Sequence, residues 1–321
     1  MRSPLKALLI TGSLVAASLG AAVPAAASGG APRHDVLRFD AAFATSSPFI
    51  GAAGTIRGVT AAPLPWAIGS IHGDLDASGQ LTIAVGHLVL ANDPAVPANL
   101  RGTNPVPDFA AVVSCETSTA GTVAVSNVTS ANFPATPGGN AFIHQRLSLP
   151  TPCAAPDVFV TSPNGGVWFA ATGTAAPSGR DVLQFDTAFA DVSPFIGAAG
   201  AISGVTAAPF PWHINGEVRG DLDANGELRV DVDGLVLAND PSVPANLRGT
   251  NPVPDFAAVV TCRTASAGAV VTTRTTTANF PATPEGDARI RATLALPSPC
   301  VTPYVFVTSP NGGVWFAVTG R

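Results

Sequence analysis

The residues best suited to chemistry come first as two short acidic runs. "DLDASG" over 74–79 and "DLDANG" over 221–226 place Asp74 and Asp76, then Asp221 and Asp223, at alternate positions ahead of a glycine. A calcium loop opens this way, because the ion takes oxygen ligands from every second residue. Such a loop also needs a bidentate acid at its twelfth position, where this chain has Val85 and Val232. The expected role of the four aspartates is therefore a hairpin turn with solvated carboxylates, with calcium as the alternative and no other cofactor.

Histidine offers no repeated site. His34, His72, His87, His144 and His213 align with Arg180, Arg219, Gly234, Arg291 and Ala67 in the other half of the chain. A nucleophile elbow, a zinc-protease helix motif and a phosphate loop are all missing from the sequence. The acids shared by both halves are Asp35, Asp40, Asp74, Asp76, Asp93 and Asp108 with their counterparts. An exported hydrolase would need two of them to converge across a cleft. No residue is assigned a catalytic role.

The richest polar stretch is Leu88 to Val113, "LVLANDPAVPANLRGTNPVPDFAAVV", which matches Leu235 to Val260 at 25 of 26 positions. It holds Asp93, Asn99, Arg101, Asn104 and Asp108, repeated as Asp240, Asn246, Arg248, Asn251 and Asp255. Pro94, Pro97, Pro105 and Pro107 would fix the connection in extended segments. One reading is a rigid loop on which Arg101 and Arg248 meet an anionic or sugar ligand. The other is a loop tied down internally, with arginine paired to Asp93 or Asp108.

The elements that position these residues follow from an internal repeat. Residues 35–66 align with 181–212, and 73–173 with 220–320, with 95 of 133 positions identical. Each copy is near the commonest domain size. The sequence thus predicts a signal peptide over 1–27, an extension over 28–34, β domains over 35–173 and 181–320, and a linker over 174–180. The cysteines fall two per copy, at Cys115 and Cys153 and at Cys262 and Cys300, with the same spacing. A unit that once closed alone pairs its own two, which predicts one disulfide in each copy.

Short runs such as "QLTIAVGHLVL" and "DFAAVVSCETS", separated by turn residues, predict β structure nearly throughout. The expected fold is two tandem antiparallel β-sandwich domains, with closed barrels as the alternative. One hairpin can be registered by hand. Turning at Asp223 to Gly226 sets Leu222, Gly220 and Val218 against Leu228, Val230 and Val232 on the core face. The opposite face then predicts ion pairs Asp221–Arg229 and Arg219–Asp231. In "VFVTSPNGGVWFA", which occurs in both copies, Trp168 and Trp315 are expected to be buried, as are Trp66 and Trp212.

Composition narrows the function. Charged residues are 12% of the chain, the net charge is −5, and 46% is hydrophobic. That apolar content excludes disorder, and an acidic chain with no basic run is a poor nucleic-acid partner. Arg2 and Lys6, an apolar stretch from Ala7 to Leu19 and Ala25-Ala26-Ala27 read as an export signal cut after Ala27. No membrane span is expected after that cut. The leading expectation is a secreted, non-enzymatic tandem β protein that binds an extracellular or envelope ligand, carbohydrate among the candidates. An exported carboxylate hydrolase and a calcium-stabilised structural module are the alternatives.

Overall fold

The computed structural model describes residues 34–321. The expected signal peptide at 1–27 and residues 28–33 of the extension lie outside the described residues. The chain is all-β, as its turn-punctuated apolar runs require. In the first copy the longer strands are β1 (Asp35–Phe39), β2 (Ala42–Ala44), β3 (Ser70–Asp76), β4 (Gln80–Gly86), β5 (Asp108–Thr119), β6 (Thr122–Thr129), β7 (Ala141–Arg146), β8 (Ala154–Thr161) and β9 (Val167–Thr174). The second copy continues as β10 (Asp181–Phe185), β11 (Ala188–Ala190), β12 (Val218–Asp223), β13 (Glu227–Val232), β14 (Asp255–Ser266), β15 (Ala269–Thr276), β16 (Ala288–Thr293), β17 (Cys300–Thr308) and β18 (Trp315–Thr319).

These strands form an eight-stranded sheet in the order β7-β4-β3-β1-β10-β12-β13-β16 and a larger one through β5-β8-β9-β17-β14-β15. Neither closes, so the barrel alternative is set aside in favour of open antiparallel sheets. Strand composition explains which sheet lies where. β4 alternates, burying Leu81, Ile83 and Val85 while Thr82 and Ala84 look outward, which marks a sheet with one wet face. Every residue of β8 and β17 is buried, which marks strands covered on both faces. One apolar cluster joins Leu75, Ile83 and Phe39 to Phe109, Val158 and Phe169 of the larger sheet. A second and third cluster, around Trp315 and Trp168, involve Phe195 and Phe49 from the connections that precede the short helical turns Gly197–Gly200 and Gly51–Gly54. All four tryptophans are buried, and Trp168 Nε1 donates to Gly54 O at 3.0 Å. Disulfides link Cys115 to Cys153 and Cys262 to Cys300.

Among the described residues both sheets run through the junction between the two similar halves. In the eight-stranded sheet β1 pairs with β10, with Arg38 opposite Gln184. These two residues occupy the same position in the two copies. Around them Asp40 N donates to Asp181 O at 2.9 Å and Asp186 N to Asp35 O at 2.8 Å, again exchanging equivalent residues. In the larger sheet Gly173 and Thr174 pair with Val301 and Cys300, while Ala154 bridges Gly320. Such reciprocity is the property of a two-fold interface, here within one chain. Gly173 and Gly320 both hold φ +136°, and a Cβ at either would meet the carbonyl oxygen of Cys300 or Cys153 at 2.4 or 2.5 Å. Glycine is required there by both conformation and close approach.

Candidate functional site on the outer sheet face

Period-two alternation decides which side chains of the eight-stranded sheet reach solvent. In β3, Ile71, Gly73 and Leu75 turn inward and Ser70, His72 and Asp74 outward. Following register from strand to strand, His144 pairs with Thr82, Thr82 with Asp74, Asp74 with Arg38 and Arg38 with Gln184. The line continues from Gln184 to Asp221, Arg229 and Arg291. Eight polar residues, one per strand, thus form a single transverse row across both copies. None of them is buried.

Neighbouring groups hold the row in place. His144 Nδ1 lies 3.1 Å from Thr82 Oγ1. Arg38 contacts Asp35 at 2.5 Å and Asp74 at 3.3 Å, and Arg291 contacts Asp231 at 2.6 Å. Burial pushes the Asp221 carboxyl upward, with Arg229 opposing the shift. The Asp35 carboxyl is also raised, first by burial and then by the charge of Asp74.

The two ends of the face differ. At the second-copy end a cavity of about 620 Å³ is lined by Arg219, Asp231, Asp233, Asp287, Arg289 and Arg291. Asp287 accepts Gly234 N at 2.9 Å, and Arg289 has no ion pair or side-chain hydrogen bond among the described residues. At the first-copy end the residues aligned with Arg289 and Arg291 are Phe142 and His144. Their rings stack at 6.0 Å with a 10° interplanar angle.

The long loops are braced from within. Asp93 Oδ1 accepts Ala95 N at 2.8 Å, and Asp240 Oδ1 accepts Ser242 N and Oγ at 2.8 and 2.7 Å, the latter bonds holding the Asp240 carboxyl below its usual range. Asn104 and Asn251 are buried and bridge Val106 to Thr136 and Val253 to Thr283. Arg101 Nε donates to Val96 O at 3.0 Å and Arg248 Nε to Val243 O at 2.9 Å. Neither arginine pairs with an aspartate of its own loop. Asn99 and Asn246 are exposed, and Asp108 and Asp255 open β5 and β14 half-buried.

At the hairpins, Asp76 Oδ1 accepts Ser78 N and Gln80 N, and Asp223 Oδ1 accepts Asn225 N and Glu227 N, so both cap their turns. Asp74 and Asp221 stand instead in the transverse row. Among the described residues no group of three or more His, Cys, Asp or Glu is placed to hold a metal ion. The hand-built register of β12 on β13 is the observed one, but its two ion pairs are corrected. Arg229 pairs with Glu227, Asp231 with Arg291, and Arg219 lies 3.8 Å from Glu217. A third strand, β16, supplies Arg291 as the competitor for Asp231, while Arg229 and Arg219 turn to acids close by in sequence, Glu227 and Glu217.

Two buried polar features escaped the sequence reading. Arg57 reaches Glu116 at 3.2 Å, Asp157 at 3.7 Å and the carbonyls of Ser114 and Ala155, with its guanidinium 4.8 Å from the Tyr304 ring centroid. Tyr304 Oη donates to Asp157 at 2.5 Å. Burial pushes the Asp157 carboxyl and the Tyr304 phenol upward, and Arg57 opposes both shifts. Asp157 and Tyr304 are equivalent positions of the two copies, so this clasp sits at the junction. The second feature is Asp191, fully buried, whose carboxyl is pushed up to about 9 by burial. No family model, curated protein or solved structure matches the chain.

Proposed function

We propose that the chain is an exported, non-enzymatic binding and structural module that holds a neutral, hydroxyl-rich extracellular polymer against the outer face of the eight-stranded sheet. The transverse row is the observation that carries this reading. Its acids, Asp74 and Asp221, accept hydrogen bonds, its arginines donate, and Gln184 and Thr82 do both. Two acids face three arginines in the row, and Arg291 is paired with Asp231 beside it, so the charges nearly offset one another, which suits a polyol better than a strongly charged polymer. The two disulfides and the signal-like segment support export. Among the described residues no helix is long and apolar enough to cross a membrane. The loop residues Asp93, Asn99, Arg101, Asn104 and Asp108, with their counterparts, brace the long connection in this reading, and Asp76 and Asp223 shape the hairpins.

Co-sedimentation with insoluble β-1,4-glucan, β-1,3-glucan and mannan tests the proposal. At least one should retain the protein, and Gln184→Ala and Arg291→Ala should each weaken retention by about fivefold, the worth of about one net hydrogen bond. Failure of all three polymers to retain the wild type would overturn the reading.

One observation favours the hydrolase alternative. Asp35 and Asp74 approach a common arginine, Arg38, and the Asp35 carboxyl is raised. New reducing ends released from a retained glucan, and lost in Asp35→Asn, would favour that alternative over simple binding.

A further inference from the structure

We infer that the two ends of the outer face are unlike subsites for one ligand chain, an aromatic platform at Phe142 and His144 and a polar pocket around Arg289, so that a single polymer lies across both copies. The inference rests on the binding reading above and adds to it the stoichiometry, the length and the stacking residue.

Phe142 is the first ground. It is 59% exposed, the most exposed of the large apolar side chains on the described surface. Outward positions of a one-sided sheet are normally polar, and the equivalent position of the second copy is Arg289. The ring is also held: it stacks on His144, and His144 is in turn fixed by Thr82 Oγ1 at 3.1 Å. A flat apolar surface held beside a polar row fits the C–H face of a sugar ring, with hydroxyls turned toward the row. Holding the platform before binding lowers the ordering cost of the complex.

The opposite end supplies the second ground. The cavity of about 620 Å³ beside β13 and β16 is of ligand size and open to solvent. Arg289 enters it uncommitted among the described residues, whereas Arg291 is anchored to Asp231. Asp233 and Asp287 add acceptors. Three of its residues have aromatic or small first-copy equivalents, Phe142 for Arg289, His144 for Arg291 and Gly86 for Asp233, while Asn140 replaces Asp287. The sheet thus carries two half-faces that no longer do the same thing.

Geometry joins them. Seven strand-to-strand spacings separate β7 from β16, about 34 Å at roughly 4.8 Å each. The transverse row fills that interval without a gap. A chain long enough to touch both ends gains the second contact at high effective concentration, and a shorter one engages one end at a time.

Calorimetric titration with β-1,4-linked glucose oligomers, from disaccharide to decasaccharide, tests this on the wild type, Phe142→Ala and Arg289→Ala. Both side chains are exposed, so the variants should melt with the wild type. Affinity should climb with length and then level off, with one long chain bound per protein. Each variant should lose about tenfold for the longest oligomer, with a flattened length dependence. Two long chains per protein, or an unchanged length dependence in both variants, would overturn the inference and leave the binding reading in place. No binding of any oligomer, with the insoluble glucans retained, would overturn the extended-chain inference alone; no binding of either would overturn both.

Discussion

Asp191 shows how one side chain can record the difference between the copies. The equivalent residue is Thr45, whose hydroxyl donates to Leu64 O at 3.4 Å, while both carboxyl oxygens of Asp191 are buried with no side-chain partner among the described residues, and the nearby backbone amides of Trp212 and Ala208 only partly oppose the effect of burial. Its folded pKa of about 9 lies far above the ordinary aspartate value of about 3.9. The native state therefore keeps a proton that the unfolded chain has lost across that window. The contribution of Asp191 to stability is full below about pH 4 and falls as pH rises toward 9, by at most about 1.4 kcal/mol per pH unit. Asp191→Thr should raise the melting temperature by several degrees near pH 8, change it little near pH 4, and flatten the pH dependence in a thermal scan. Arg57 works in the opposite direction. Truncation to alanine strands Asp157 and Glu116 beside Tyr304, and the loss should be about 3–5 kcal/mol in denaturant unfolding. A trace of this clasp was present in the sequence, since Arg57/Ser203, Glu116/Arg263 and Asp157/Tyr304 are mismatches set in near-identical surroundings. Its meaning was not legible, because those residues meet only after β5, β8 and β17 assemble.

At the level of elements, what was local was readable. The β12–β13 hairpin came out in register because its turn fixes the pairing and its apolar alternation fixes the face. The tryptophans of the paired "GGVWFA" runs are legible for another reason, the large apolar area each brings to an aromatic-poor chain, and they lie in the core. The transverse row could not be read that way. Arg38 and Gln184 face each other through a pairing of strands nearly 150 positions apart, and periodicity carries no information on which strand is the neighbour. The braces on the long loops were half legible: prolines announced rigidity, but the carbonyl of Val96 rather than Asp93 or Asp108 receives Arg101. The crossing glycines make the sharpest element-level prediction. Gly173→Ala would bring a Cβ to 2.4 Å from Cys300 O at a φ closed to alanine, and should cost more than about 2 kcal/mol in urea unfolding. Gly102→Ala, at a positive φ with open space around its Cβ position, should cost about 1 kcal/mol.

For the molecule as a whole, the repeat and its cysteine spacing pointed to closed units with internal disulfides, and the disulfides are present. The seven residues 174–180 suggested a tether. The structure adds two sheets that pass through the junction and a polar clasp that holds it. The outer face is continuous only because of this, and a ligand spanning both copies requires it. Such a body should unfold as one. Scanning calorimetry of the protein measures this directly, through the ratio of calorimetric to van't Hoff enthalpy. One transition with a ratio near one is expected, shifted as a whole by Trp315→Ala in the second copy. Two transitions, with Trp315→Ala moving only one of them, would contradict it.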